Sequence, residues 1–170
     1  MRNGAMVIGL ALVSTACAKS TSTELPAPVA VTLAGWADEC RAADGTPRTD
    51  DVVKRSDLNG DSREDYVLFL GWLACDNAPS VFGDREKALM VFAGDGVGGA
   101  RPAFGEQVYD ARIEERGNGR VLWLTTSGGE CGRPPAQSFS DETFCERSVV
   151  WNPGGEQFEI SPLNTARIIE

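Results

Sequence analysis

Residues 66–73 read Tyr66-Val67-Leu68-Phe69-Leu70-Gly71-Trp72-Leu73. The run is apolar almost throughout and shows no polar alternation, which is the pattern of a strand covered on both faces. It is therefore expected at the centre of a sheet. Outward from it, 52–54 is a short candidate strand and 88–93 a further one. Residues 107–113 and 120–126 read as a hairpin joined at Gly117-Asn118-Gly119, a strong turn signal. Residues 145–151 and 157–160 read as another, turning at Pro153-Gly154-Gly155. Upstream the period changes. Val29, Leu33, Trp36 and Cys40 stand at i, i+4, i+7 and i+11, which is one face of a helix. Pro28 suits its first turn and Asp44-Gly45 its end. The expected fold is mainly β (α+β): an antiparallel sheet or meander with one N-terminal helix packed on it. Trp36, Trp72, Trp123 and Trp151 fall on four different elements and are expected to fill the core. No assignment is made for 161–170.

The N-terminus carries Arg2 and then an apolar run over 5–16 that ends in small residues. It is far short of the ~20 apolar residues of a membrane span, so it reads as an export leader. Two readings of its end stand open. Ala16-Cys17-Ala18 fits ordinary cleavage after residue 18. Ser14-Thr15-Ala16-Cys17 resembles a bacterial lipobox, with a leader of 1–16 and Cys17 lipidated to anchor the chain in a membrane. The Ser/Thr/Pro stretch at 19–28 suits a tether, which leaves 29–170 as one domain. Of the five cysteines, setting Cys17 aside leaves Cys40, Cys75, Cys131 and Cys145. In an exported chain these imply two disulfides with three possible connectivities. The preferred pairing closes the long 128–143 loop with Cys131–Cys145 and leaves Cys40–Cys75.

Immediately before the central run stands Asp57-Leu58-Asn59-Gly60-Asp61-Ser62-Arg63-Glu64-Asp65. Oxygen side chains occupy loop positions 1, 3, 5 and 9. Ca²⁺ is a hard ion that takes several oxygen ligands, and alternate residues of a tight loop converge on one point. Asp57, Asn59, Asp61 and Asp65 are the expected side-chain ligands. Arg63 is expected to add its backbone carbonyl, and Gly60 lets the turn tighten. The competing reading is a metal-free Asx turn, in which the carboxylates accept backbone N–H groups. Against it, clustered carboxylates repel one another unless a cation neutralises them. An EF-hand is a poorer description, since position 12 is Leu68 and no helix follows.

The loop resembles the D-x-[DN]-G-D-x-x-x-D element of FG-GAP and VCBS repeats, which bind Ca²⁺ and lead into a strand. The likeness continues through Leu89-Met90-Val91-Phe92-Ala93-Gly94-Asp95-Gly96 and Phe104, and so covers about 57–104. What the resemblance implies is a structural Ca²⁺ loop, not an activity. This chain departs from the pattern in holding one copy, in having Ser62 where the repeats have glycine, and in an insertion carrying Cys75.

The sequence also excludes. There is no histidine, which removes the commonest general base and every Ser-His or Cys-His nucleophile pair. A formal charge of −9 argues against nucleic acid as a partner. Residues 94–99 lack the Lys-Ser/Thr ending of a phosphate loop and read as a hairpin connection. The expected role is a non-enzymatic envelope module, Ca²⁺-stabilised, with a protein or glycan partner. The alternatives are an exported hydrolase using paired carboxylates and a small inhibitor of an exported enzyme.

Overall fold

The computed structural model describes residues 24–117, 119–134 and 136–169. The leader, Cys17 and the turn residue Asn118 lie outside the described residues.

The helix α1 (Ala27–Ala42) opens after Pro26, has Pro28 in its first turn, and buries Val29, Trp36, Ala37 and Cys40. Three of the four residues of the predicted stripe are therefore buried, Leu33 is partly buried against the same cluster, and Ala37 is added. The helix begins at Ala27, inside the 19–28 stretch read as a tether, with Pro28 in its first turn as expected. Proline is tolerated there because the first-turn N–H groups have no intrahelical partner.

Eleven strands follow: β1 (Thr46–Arg48), β2 (Val53–Ser56), β3 (Asp65–Phe69), β4 (Ala74–Asp76), β5 (Lys87–Gly94), β6 (Ala100–Val108), β7 (Asp110–Arg116), β8 (Gly119–Ser127), β9 (Phe144–Asn152), β10 (Gln157–Ile160) and β11 (Arg167–Ile168). They pair antiparallel. One sheet has the order β2-β3-β5-β6, a second has β7-β8-β9-β10 with β11 also on β9, and β1-β4 form a small ribbon. The fold is thus mainly β with one helix, as the sequence suggests, but its strands divide between two main sheets instead of one.

The central strand shows why. Every residue of β3 is buried. Val67 and Phe69 join Leu89, Val91, Leu122, Leu124 and Phe158 in the larger core cluster, which draws on both sheets. Tyr66 and Leu68 point the other way and pack with Val29, Trp36 and Phe92. Helix, first sheet and second sheet therefore form three layers, and β3 is covered by both neighbours. Alternation of side chains across a strand makes an uninterrupted apolar run the only composition that satisfies both faces.

Several boundaries differ from the sequence reading. The strand beginning at Tyr66 ends at Phe69, and Leu70–Trp72 form a 3₁₀ turn. The 107–113 stretch is not one strand: β6 ends at Val108, β7 begins at Asp110, and the chain changes sheets at Tyr109, whose N–H reaches the Thr125 carbonyl at 2.9 Å. Strand β6 escapes the sequence because it holds Pro102 and Gly105. As an edge strand it can spare the proline's missing donor, and its register shifts near Ala103.

Two disulfides have the preferred connectivity. Cys40–Cys75 ties the end of α1 to β4, and Cys131–Cys145 closes the long loop, with Cα separations of 5.8 and 5.7 Å. Arg147, 8% exposed, reinforces the second closure. Its Nη1 meets Glu130 Oε2 at 2.6 Å and its guanidinium donates to the Ser161 carbonyl. Trp36 and Trp123 are buried, and Trp72 and Trp151 pack on the larger core. Trp123 differs in lying beneath two guanidiniums, Arg167 at 4.0 Å and Arg112 at 5.7 Å from its ring. Among the described residues no helix is long and apolar enough to cross a membrane.

Candidate functional site

The acidic loop bridges β2 and β3, whose last pair is Ser56 opposite Asp65. Its course is set by its own side chains. Asp57 accepts the Gly60 N–H at Oδ1 (2.7 Å) and the Ser62 N–H at Oδ2 (2.8 Å). Asn59 Oδ1 accepts the Asp61 N–H at 3.0 Å, and Asn59 Nδ2 donates to Asp61 Oδ2 at 3.2 Å. Asp61 Oδ1 accepts the Arg63 N–H at 2.9 Å. Two residues take the left-handed conformation, Gly60 at φ 80° and Ser62 at φ 65°. Glycine enters that region freely and serine does not. The Asp57 carboxylate holds the Ser62 amide there.

Asp65 is the anchor and is fully buried. Its Oδ2 accepts the Leu58 N–H at 2.9 Å and its Oδ1 the Gly94 N–H at 3.2 Å. The carboxylate therefore fastens the start of the loop to the end of β5. The approach is close: a Cβ on Gly94 would lie 2.0 Å from the Glu64 carbonyl oxygen. Burial raises the Asp65 carboxyl above its ordinary value, the two amides pull it back, and the charges of Asp61 and Asp57 push it further up. Three carboxylates thus share one electrostatic neighbourhood.

Of the five expected metal-site residues, Asp57, Asn59, Asp61 and Arg63 lie in one compact turn and Asp65 opens β3. Oxygens of Asp57, Asn59, Asp61 and Asp65 accept backbone N–H groups in the pattern of an Asx turn, and the Arg63 side chain is exposed. Among the described residues no three His, Cys, Asp or Glu side chains are gathered as a ready metal cluster. The donor set still suits a hard cation, because it is all oxygen and each carboxylate oxygen has a second lone pair beyond the one an amide uses.

Beside the loop the β5–β6 connection is a hairpin turn, as expected of 94–99. Asp95 Oδ1 accepts the Val97 and Gly99 N–H groups at 2.9 and 2.8 Å, and these bonds lower its pKa.

Sequence reasoning missed the surface beside the turn. A groove of about 660 Å³ is lined by Asp57, Asn59 and Gly60 on one side and Glu115 and Arg120 on the other. It meets a second groove of about 480 Å³ between the open edges of β2 and β7. The residues that form the second groove are far apart in the chain and on different sheets, so only the packing of the two sheets reveals it. No protein family matches this chain, and comparison with curated proteins and with solved structures gives no match.

Proposed function

We propose that the chain is an exported binding module of the cell envelope whose 57–65 turn is held by a structural Ca²⁺ ion. The observation that carries the metal reading is the position of Asp65, a buried carboxylate whose proton affinity is raised in part by Asp61 and Asp57. A cation bound among these oxygens would offset both the burial cost and the mutual repulsion. The amide bonds already set the turn, so binding would need side-chain adjustment and little backbone change. Export is supported by the two disulfides, which suit an oxidising compartment, and by the leader-like N-terminus. A binding role accords with the long loop clamped at its base and with the grooves along the sheet edges.

Thermal unfolding with Ca²⁺ and with chelator tests the metal reading. Ligand at 100 times its Kd adds about 2.7 kcal/mol, which moves the midpoint by several degrees in a domain of this size. Coincident curves at millimolar Ca²⁺ refute it. Mass spectrometry of the mature N-terminus tests the anchor: a diacylglyceryl Cys17 supports it, and a chain beginning at Lys19 excludes it.

A further inference from the structure

We propose that the groove between the β2 and β7 edges is a binding site for an acidic saccharide, with Trp72 as its platform and Lys54 and Arg120 as its carboxylate partners. The inference names a ligand class for the binding module proposed above and rests on that reading, but not on its metal.

The chain carries 25 acidic and 16 basic residues, yet the groove is lined by Lys54, Arg55, Arg112 and Arg120 against the single carboxylate Glu115. Three of the four are paired, Arg55 with Glu64 at 3.5 Å, Arg112 with Glu114 and Glu146, and Arg120 with Glu115. Lys54 brings the groove a cation without an ion pair among the described residues, and such a charge draws an anion against the repulsion of the whole molecule.

These cations differ in how readily they can change partners. Arg112 is committed: it meets Glu146 through Nε and Nη2 at 3.0 and 2.9 Å and Glu114 through Nη1 at 2.8 Å. It is framework. Arg120 is held loosely, at 3.3 Å from Glu115 and 3.4 Å from the Arg55 carbonyl. Lys54 makes no ion pair among the described residues. Its ammonium stands 5.8 Å from the centre of the Trp72 ring. Lys54 and Arg120 are thus the groups able to take a ligand's carboxylate.

The lining of the groove suits a saccharide better than a peptide strand. Trp72 is half-buried, set edge-on against Phe69 at 5.6 Å. It shares the groove with the apolar Val53, Ala111 and Ile113. An aromatic face next to a cation matches a uronic acid, which has an apolar C–H face and a carboxylate on the same ring. A peptide strand would instead need main-chain partners on an open edge. The β7 edge reads Asp110, Arg112, Glu114, Arg116 at alternate positions, a charge pattern that discourages strand addition.

The test is titration of the whole mature protein, in buffer containing chelator, with oligogalacturonate, neutral galacto-oligosaccharide and oligoglutamate, followed by tryptophan fluorescence and calorimetry. Oligogalacturonate should bind with a fluorescence change, weaken with salt, and lose between about tenfold and a hundredfold in affinity in Lys54→Glu, the worth of one charge-assisted hydrogen bond. Arg120→Gln should weaken it as well, and both variants should melt near the parent. Trp72→Phe should keep the fold and reduce affinity. Failure of oligogalacturonate to bind, equal binding by oligoglutamate, or an unchanged affinity in a folded Lys54→Glu protein would each overturn the assignment. Because chelator is present throughout, those outcomes leave the Ca²⁺ reading untouched. A Ca²⁺-insensitive melt would likewise leave this one standing.

Discussion

Replacing Asp65 with alanine should unlatch the acidic turn from the sheet. The side chain is fully buried and accepts two backbone N–H groups, from Leu58 at 2.9 Å and from Gly94 at 3.2 Å. Alanine leaves both donors without an acceptor. An unsatisfied buried donor costs about 1–3 kcal/mol. Leu58 and Gly94 are half-buried, so water can recover part of that, and removing a buried charge returns some more. The expected net loss is about 2–4 kcal/mol. Urea denaturation in chelator reads it directly: with a slope of about 1–3 kcal/mol/M, the midpoint should fall by about 1–2 M at unchanged slope. Asp65→Asn, which keeps one acceptor oxygen, should lose about half as much. If Asp65→Ala unfolds within about 0.5 kcal/mol of the parent, the carboxylate does not hold the loop.

Burial raises the Asp65 carboxyl. Between its ordinary and its raised value the native state keeps a proton that the unfolded chain has released, so in chelator stability should fall as pH rises through that window. Asp65→Asn should remove this slope, and a parent curve that rises relative to the variant refutes the shift. Gly94→Ala should cost about 1–3 kcal/mol by overpacking, since its Cβ would overlap the Glu64 carbonyl oxygen; an unaffected melt would show that the two strands can part. Serine at both Cys131 and Cys145 should cost about 3 kcal/mol for a bridge spanning 14 residues, measured by urea midpoint. A loss under 1 kcal/mol would mean that Arg147 alone holds the loop.

Much of the frame was legible in the sequence because its signals are local. The α1 stripe, the unbroken apolar strand and the turns near Gly117 and Pro153 each follow from periodicity or turn chemistry within a short window. For the disulfides the sequence offered three connectivities, and the preferred one followed from Cys131 and Cys145 bracketing a single loop. What escaped is what depends on tertiary context. Strands β1, β4 and β11 are two or three residues long and have no period to read; their pairing comes from neighbours already in place. The split of 107–113 at Tyr109 was hidden because an extended chain can pass from one sheet to another without any turn residue. At the acidic loop the residue types allowed both a cation centre and an Asx turn, and the amide bonds of the turn follow the second pattern. Their spacing did not reveal that Asp65 reaches across to Gly94.

The double closure at the base of the 128–143 loop separates framework from tip. The bridge between Cys131 and Cys145 and the Arg147 contacts to Glu130 and Ser161 fix where the segment leaves and rejoins the body. Beyond that clasp Phe139 ties the tip back to the body, on Tyr109 and Phe144 and beneath Arg85, so the room for change lies between the clasp and Phe139. Changes of length there cost only the slowly growing entropy of a longer loop. The stretch between the clasp and Phe139 is therefore the place where this scaffold accepts foreign sequence while its melting behaviour stays close to the parent's.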